Sequence, residues 1–361
     1  MKNLLLITHW YYPRNNPRSF RARALADELI KRGYDVDILI GEQKNLVEVS
    51  ELEDFYSEKS ESEGKASDKV KKCVFLKKIL TFFIGEKFYF THLHSMEKCI
   101  SKKYDGIISV GNPFYSHYLA VKLKRKWKNN ACIICDCGDP NYLGFPRHSL
   151  LVKAIQKYVF HKASFITVPI PESLEYYISY AQKEKIKVIP QGFSMKNIKL
   201  KKYTESNNSI RFAYAGRFYK DIRNPEKLLK LLTTIETDFQ FTIYTDFNSA
   251  VYRDILIPYK KRLDNKLILK SFLQREECIS ELSEYDFLIN IRNLTHIQAP
   301  SKLIDYAIAG RPILDCNPER IPENVLKKFL RKDYSDQLIV DITKYKIENV
   351  VKQFIDLLEE T

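Results

Sequence analysis

The residues Leu4-Leu5-Leu6-Ile7-Thr8 form a short, continuous apolar run, and Val36-Asp37-Ile38-Leu39-Ile40, apolar but for Asp37, reads as the next strand. A run of this length without alternation reads as a strand buried on both faces, as in a parallel sheet. Between them lies a polar, Pro-bearing loop, His9–Ser19. The stretch Phe20–Lys31 follows, with Ala24, Leu25, Leu29 and Ile30 at helical spacing and Gly33 as the stop signal. Strand, loop, helix and strand in that order make the repeating unit of a doubly wound α/β sheet.

The unit recurs downstream. Strands are expected at Gly106–Val110, Ala131–Cys135, Phe165–Val168 and Val188–Ile189, with helices at Phe114–Lys126 and Leu174–Ala181. The polar stretch Lys199–Ser209 reads as a linker. The alternation then restarts. Strands are expected at Ile210–Tyr214, Phe239–Tyr244, Leu267–Leu269, Phe287–Ile291 and Ile313–Leu314. Helices fall at Pro225–Thr234, Arg275–Ser283 and Lys302–Ala309. Two Rossmann-like, doubly wound parallel-sheet domains facing a cleft are therefore expected, one over residues 1–195 and one over 205–340. The last helix, Ile347–Leu358, is expected to pack back on the first domain.

The 361 residues suit two cores better than one. A net charge of +14 favours anionic partners. No zinc-finger spacing, basic coiled coil or aromatic RNA-binding signature accompanies it, so nucleic acid is not an expected partner. Cys132, Cys135 and Cys137 lack a second pair at metal-ligand spacing and read as small apolar residues of a strand in a reducing setting. The N-terminus does not read as a signal peptide, and no apolar run reaches the length of a spanning helix. A cytoplasmic protein is expected. Glu48–Lys69 is charge-rich and reads as a loop. Lys69–Phe90 mixes six lysines with apolar and aromatic residues. Two readings fit that segment equally: a basic amphipathic surface lying on anionic membrane, or an ordinary helix pair with solvated lysines.

The chemistry concentrates in Pro300-Ser301-Lys302-Leu303-Ile304-Asp305-Tyr306-Ala307-Ile308-Ala309-Gly310-Arg311-Pro312. A Pro opens a helix, a carboxylate lies in its second turn, and Gly-Arg-Pro closes it. A helix N-terminus offers free amides and partial positive charge to phosphate, and Lys302 adds a full charge. Asp305 is suited to accept hydrogen bonds from a ribose diol. A plain capped helix would carry the same punctuation.

This stretch resembles the donor-binding segment of glycosyltransferase family 4, in its variants reading P-S-K-L-x-E-Y-x-A-x-G-x-P. The resemblance extends along the chain. Leu4–Val36 looks like the family's opening strand, loop and helix. Ile189-Pro190-Gln191-Gly192 stands in the place of I-P-N-G, and Tyr214-Ala215-Gly216-Arg217 matches Y-x-G-R. Only about Glu42–Glu97 falls outside it. The resemblance implies the two-lobe GT-B architecture. It also implies a retaining, hexosyltransferase-like enzyme of cell-surface polysaccharide biosynthesis that uses a nucleoside-diphosphate sugar, a saccharide or lipid-linked acceptor, and no metal or other cofactor. Gly216 and Arg217, with Arg223 preferred over Lys220 as the second cation, would grip the diphosphate. Arg217 and Arg223 would also act catalytically by stabilising the leaving group. Ser301, Lys302, Leu303 and Asp305 would complete the donor site, and Phe272 and Leu273 would lie by the base.

There are departures from the pattern. The family's first glutamate maps to Ile297, with His296 or Gln298 as substitutes, and the second is the shorter Asp305. The donor sugar and the stereochemical outcome stay open for that reason. Tyr244-Thr245-Asp246 stands where many members have Gly-x-Gly. On the acceptor side, Asp136-Cys137-Gly138-Asp139-Pro140 resembles a D-x-R-D-P/L-W turn. Asp139, and after it Asp136, is a candidate general base, or a turn that caps its own backbone. His9, Arg18 and Asn112 are candidate acceptor contacts, and Arg14, Arg18 and Arg21 are suited to an acceptor phosphate or carboxylate. A second reading of the chain is a non-catalytic sugar-nucleotide or anion-binding protein of the same fold.

Overall fold

The computed structural model describes residues 2–14, 16–52, 54–56, 93–111, 113–138, 150–194, 198–205, 209–294 and 301–360, with the backbone alone for 150–152 and 301. The segment 69–90, and with it the membrane reading, lies outside the described residues. The chain forms two compact units: Met1–Ser194 together with Lys344–Thr361, and Met195–Thr343.

In the first unit, seven described strands form one sheet. They are β1 (Asn3–Thr8), β2 (Asp35–Ile40), β3 (Asn45–Val47), β4 (Gly106–Val110), β5 (Cys132–Asp136), β6 (Phe165–Val168) and β7 (Ile186–Val188). The order is β3-β2-β1-β4-β5-β6-β7. All pairs are parallel except β2 with β3, an antiparallel edge that the hydrophobic pattern did not announce. Leu4 and Leu6 face one core and Leu5 and Ile7 the other, which is why β1 reads as an unbroken apolar run.

Helix α1 (Pro17–Lys31) begins three residues earlier than its apolar spacing suggests. The Asn16 side chain accepts from the amides of Arg18 and Ser19, and Pro17 fills the first turn, where its missing N–H costs nothing. Gly33, at φ +87°, ends it. On the opposite face lie α2 (Leu93–Lys98), α3 (Tyr115–Trp127), α4 (Leu150–Lys162) and the short α5 (Leu174–Ile178). Helix α4 escaped the sequence reading. The charge-rich segment after Val47 is not loop throughout. Val49–Glu51 forms a 3-10 turn, and the Tyr56 hydroxyl donates to Asp27 of α1 at 3.0 Å.

In the second unit, β8 (Ile210–Ala215), β9 (Phe239–Thr245), β10 (Leu267–Ser271), β11 (Phe287–Ile291) and β12 (Ile313–Cys316) form a parallel sheet in the order β10-β9-β8-β11-β12. One face is covered by α6 (Glu226–Leu232), α7 (Ile257–Leu263, entered through a π turn at Tyr252–Leu256) and α10 (Glu323–Phe329). The other carries α8 (Arg275–Leu282) and α9 (Ser301–Ala309). Helices α7 and α10 were not expected from the sequence. The final helix, α11 (Ile347–Glu359), belongs to the first unit. It buries Val350, Val351, Phe354 and Leu357 beside Ala22, Leu25 and Leu29 of α1. Among the described residues no helix is long and apolar enough to cross a membrane.

Candidate functional site

In an open parallel sheet, ligands bind outside the carboxyl ends of the strands, where the strand order reverses. In the second unit that point lies between β8 and β11. The residues singled out in the sequence gather there. Gly216 follows β8 at φ +141°, a conformation that favours glycine. Its amide donates to Tyr244 O at 3.0 Å, and its carbonyl accepts from the Thr245 hydroxyl at 2.9 Å. Tyr306, fully buried on α9, accepts from the Ala215 amide at 2.8 Å and donates to the Ala215 carbonyl at 3.2 Å. This hydroxyl fastens α9 to the end of β8. Sequence reading took Tyr306 only as part of the motif.

Arg223 closes the tight turn Tyr219–Arg223 and is half-buried. Two of its guanidinium nitrogens hold the Asn293 side-chain oxygen, Nε at 2.9 Å, and its Nη1 donates to Arg217 O at 3.2 Å. Lys220 stands exposed in the same turn. Lys302 donates from Nζ to Ile291 O at 2.9 Å, with the ammonium 4.6 Å from the centre of the Tyr214 ring. Burial, and then the nearby positive charge of Arg223, holds its amine well below the usual lysine range. The nearest acid of use, Asp315, is already bonded by Asn290 and Arg292. Among the described residues, neither of these two cations at the strand ends has a carboxylate within ion-pair distance. An anion placed there would relieve both.

Arg217 is exposed, 3.8 Å from Asp246, with its guanidinium 5.7 Å from the centre of the Phe272 ring. Phe272 itself is exposed at the end of β10, an open aromatic face of the kind on which a base stacks. Leu273 turns instead into the core beneath α8 and α9. Asp305 was read as a ribose ligand. In the structure its Oδ1 accepts a hydrogen bond from Arg275 Nε at 2.9 Å, with Nη2 at an ion-pair distance of 2.7 Å, so a diol would share the carboxylate with that guanidinium. Burial pushes the carboxyl of Asp305 up against the pull of Arg275. Arg275 carried no signal in the sequence, because a salt bridge across 30 residues has no local pattern. Leu303 is half-buried against the same core. Ser301 opens α9, and its side chain, with His296, Ile297 and Gln298, lies outside the described residues.

In the first unit the strand order reverses between β1 and β4. His9 lies there at the end of β1, buried, its Nδ1 2.8 Å from the Tyr115 hydroxyl. A side chain at Gly41 would collide with this pair, since its Cβ would fall 1.7 Å from the Tyr115 oxygen. Asp136 is 2% exposed. Its carboxylate receives Arg21 Nε (3.1 Å) and Nη2 (2.9 Å) and the Thr167 hydroxyl (2.8 Å). Burial opposes its charge, yet Arg21, Arg18 and Thr167 together hold the carboxyl below the usual range. This corrects the reading of Asp136 as a general base or acceptor contact: a carboxylate bonded on both oxygens inside the domain is a structural anchor. Asn112 and Asp139 lie outside the described residues.

Cys132 faces the core under α1, whereas Cys135 and Cys137 face the opposite one, so strand alternation separates Cys132 from the other two thiols. Burial pushes the Cys135 thiol up to about 12. Asp37, of the sequence Asp35-Val36-Asp37, is buried on Tyr104 (2.6 Å) and Lys102 (2.8 Å), away from the strand ends.

The chain matches no protein-family model, and no curated protein matches it in sequence. Solved structures do match. Anabaena HepE in complex with UDP and glucose superposes with TM-score 0.61 at 11% identity over 100% of both chains. Sucrose-phosphate synthase from Thermosynechococcus elongatus gives 0.64 at 12% over 100% of this chain and 99% of that one. UDP-GlcNAc 2-epimerase from Neisseria meningitidis bound to UDP-GlcNAc gives 0.54 at 16% over 100% of both. The fold is that of the GT-B proteins: two α/β domains, each on a parallel sheet.

Proposed function

We propose that this protein is a glycosyltransferase that moves a hexosyl group from a nucleoside-diphosphate donor to a saccharide or lipid-linked acceptor in cell-surface polysaccharide biosynthesis. One observation carries the reading: Lys302 and Arg223, two cations with no carboxylate partner among the described residues, meet at the strand-order reversal of the second sheet beside Gly216 and Arg217. A leaving nucleoside diphosphate brings the negative charge these cations lack, and cations aimed at it stabilise the bond-breaking step. In this reading Arg217, Arg223 and Lys302 balance the diphosphate in place of a metal, and Phe272 stacks on the base. The fold by itself does not choose the chemistry, because a GT-B-like chain also serves an epimerase.

The proposal extends to the other expectations. Retention is supported by the resemblance and by the engaged state of Asp136, since in a retaining transfer the departing phosphate can take the acceptor proton. In this reading Asp139 orients the acceptor hydroxyl, and His9 and Asn112 are further acceptor contacts. The chain works in the cytoplasm, against the inner face of the membrane through Lys69–Phe90. Liposomes with anionic lipid should retain it at low salt, and indifference to lipid charge would remove that contact.

The decisive assay is release of free nucleoside diphosphate from a panel of sugar nucleotides. Arg217→Ala should cut turnover at least about a hundredfold with the fold intact. The rival, a non-catalytic binder, is favoured by Ile297 at the glutamate position and by Arg275 on Asp305. It predicts thermal stabilisation by the same nucleotides with no release at all.

A further inference from the structure

Three arginines line one stretch of the first unit, and the structure gives them three different fates. Arg14 is exposed and paired with Glu42. Arg21 is buried, spends Nε and Nη2 on Asp136, and donates from Nη1 to Pro190 O at 2.9 Å. Arg18 is different. Its side chain is 14% exposed, yet its buried Nη1 has no hydrogen-bond partner. The nearest carboxylate oxygen, Asp136 Oδ2, stands 3.9 Å away and already receives Arg21. A desolvated guanidinium in this state costs free energy that a ligand would recover.

The charges around it do not cancel. Asp136 contributes one negative charge against the two positive charges of Arg18 and Arg21. Among the described residues, the other titratable groups that feel the charge of Arg18 are His117, Cys137 and Tyr177, and none of them carries a charge. Burial, with Arg18 adding to it, lowers the His117 imidazole to about 3, and burial raises the Cys137 thiol. The amides of Arg18 and Ser19 are already capped by Asn16, so the surplus resides on the guanidinium and not on the helix end. The space is kept for it. A Cβ on Gly138, just past β5, would lie 1.2 Å from Arg18 Nη2.

We propose that Arg18, seated over Gly138, binds an oxyanion of the acceptor, a phosphate or a carboxylate. A guanidinium fork matches the geometry of both groups. The proposal rests on the glycosyltransferase reading only in calling that ligand the acceptor.

Calorimetric titration of the full chain with inorganic pyrophosphate tests it. Two classes of site are expected in the wild type, one at Arg18 and one at Arg223. Arg18→Gln should weaken one class at least about tenfold, as loss of a charged hydrogen bond does. Gly138→Ala keeps the arginine but takes its space, and should weaken the same class. Lys31→Gln removes an equal charge at the far end of α1 and should change neither. Arg223→Gln should affect only the other class. If Arg18→Gln and Gly138→Ala leave both classes unchanged, the proposal falls. If only Arg223→Gln is without effect, the donor reading falls and this site stands. Glucuronate as competitor names the source: displacement of pyrophosphate from the Arg18 class supports a carboxylate-bearing acceptor, and its failure supports a phosphate-bearing one.

Discussion

Arg223 grips the side-chain oxygen of Asn293 with two guanidinium nitrogens while donating a third to the backbone of Arg217. The grip joins the turn after β8 to the loop after β11, the two strands between which the sheet order reverses. A fork fixed in this way needs no reordering when a diphosphate arrives. Asn293→Ala should free the guanidinium, raise KM for the donor about tenfold and leave the melting temperature nearly unchanged. An unaltered KM would show that Arg223 is placed by something else.

Lys302 couples stability and binding in opposite directions. Its folded pKa is lowered, by burial first and Arg223 second, so the folded chain binds this proton less readily than the unfolded chain. Its ammonium therefore costs stability at neutral pH, and the cost disappears only as pH rises toward the ordinary lysine value of about 10.4. Lys302→Met should raise the melting temperature of the ligand-free protein by roughly 2–4 °C. The same change should weaken nucleoside diphosphate binding at least about tenfold. In the wild type, affinity should fall as pH rises through the lowered pKa, below the usual lysine range. A melting temperature that drops in Lys302→Met would contradict this account.

Asp136 and Arg21 form a buried pair, and breaking such a pair costs about 3–5 kcal/mol because it strands the remaining charge. Arg21→Gln should destabilise toward the lower end of that range, since Arg18 stands 3.9 Å from the same carboxylate. The folded pKa of Asp136 is depressed, so its contribution is complete above the unfolded value of about 3.9 and is lost as pH falls through the lowered one. The acid limb of the stability profile should therefore flatten in Arg21→Gln. Both tryptophans, Trp10 and Trp127, lie in the first unit, so intrinsic tryptophan fluorescence follows this unfolding directly.

The closing helix offers a test of domain membership. Phe354 is fully buried beside α1, and the guanidinium of Arg21 lies 5.2 Å from its ring centre. Phe354→Ala should cost about 3–5 kcal/mol in urea unfolding followed by tryptophan fluorescence. Nucleoside diphosphate binding, which the proposed function places in the second unit, should keep its affinity. A variant that loses nucleotide binding but retains the fluorescence transition would place the helix wrongly.

Much of the architecture could be read along the chain because strand and helix periods are local. Leu4–Thr8 and Phe287–Ile291 are buried on both faces and announce themselves as apolar runs. Gly33 and Gly216 stand where the backbone enters the left-handed region. The helix at Leu150–Lys162 and the π turn entering α7 were missed, because neither shows a sharp apolar stripe along the chain. The helix start around Lys302 was legible for the same local reason: a proline, a lysine and a carboxylate lie within one short stretch. What each charge does was not legible. Arg14, Arg18 and Arg21 look alike in sequence, and so do Asp136 and Asp305 as free carboxylates. Only the fold brings Arg21 to Asp136 across 115 residues and Arg275 to Asp305 across 30, and only the fold leaves Arg18 over Gly138 with a charge to spare. Residue periodicity thus set the elements and their order, whereas the tertiary structure decided which charges are already paired, because pairing depends on distance through space and not along the chain.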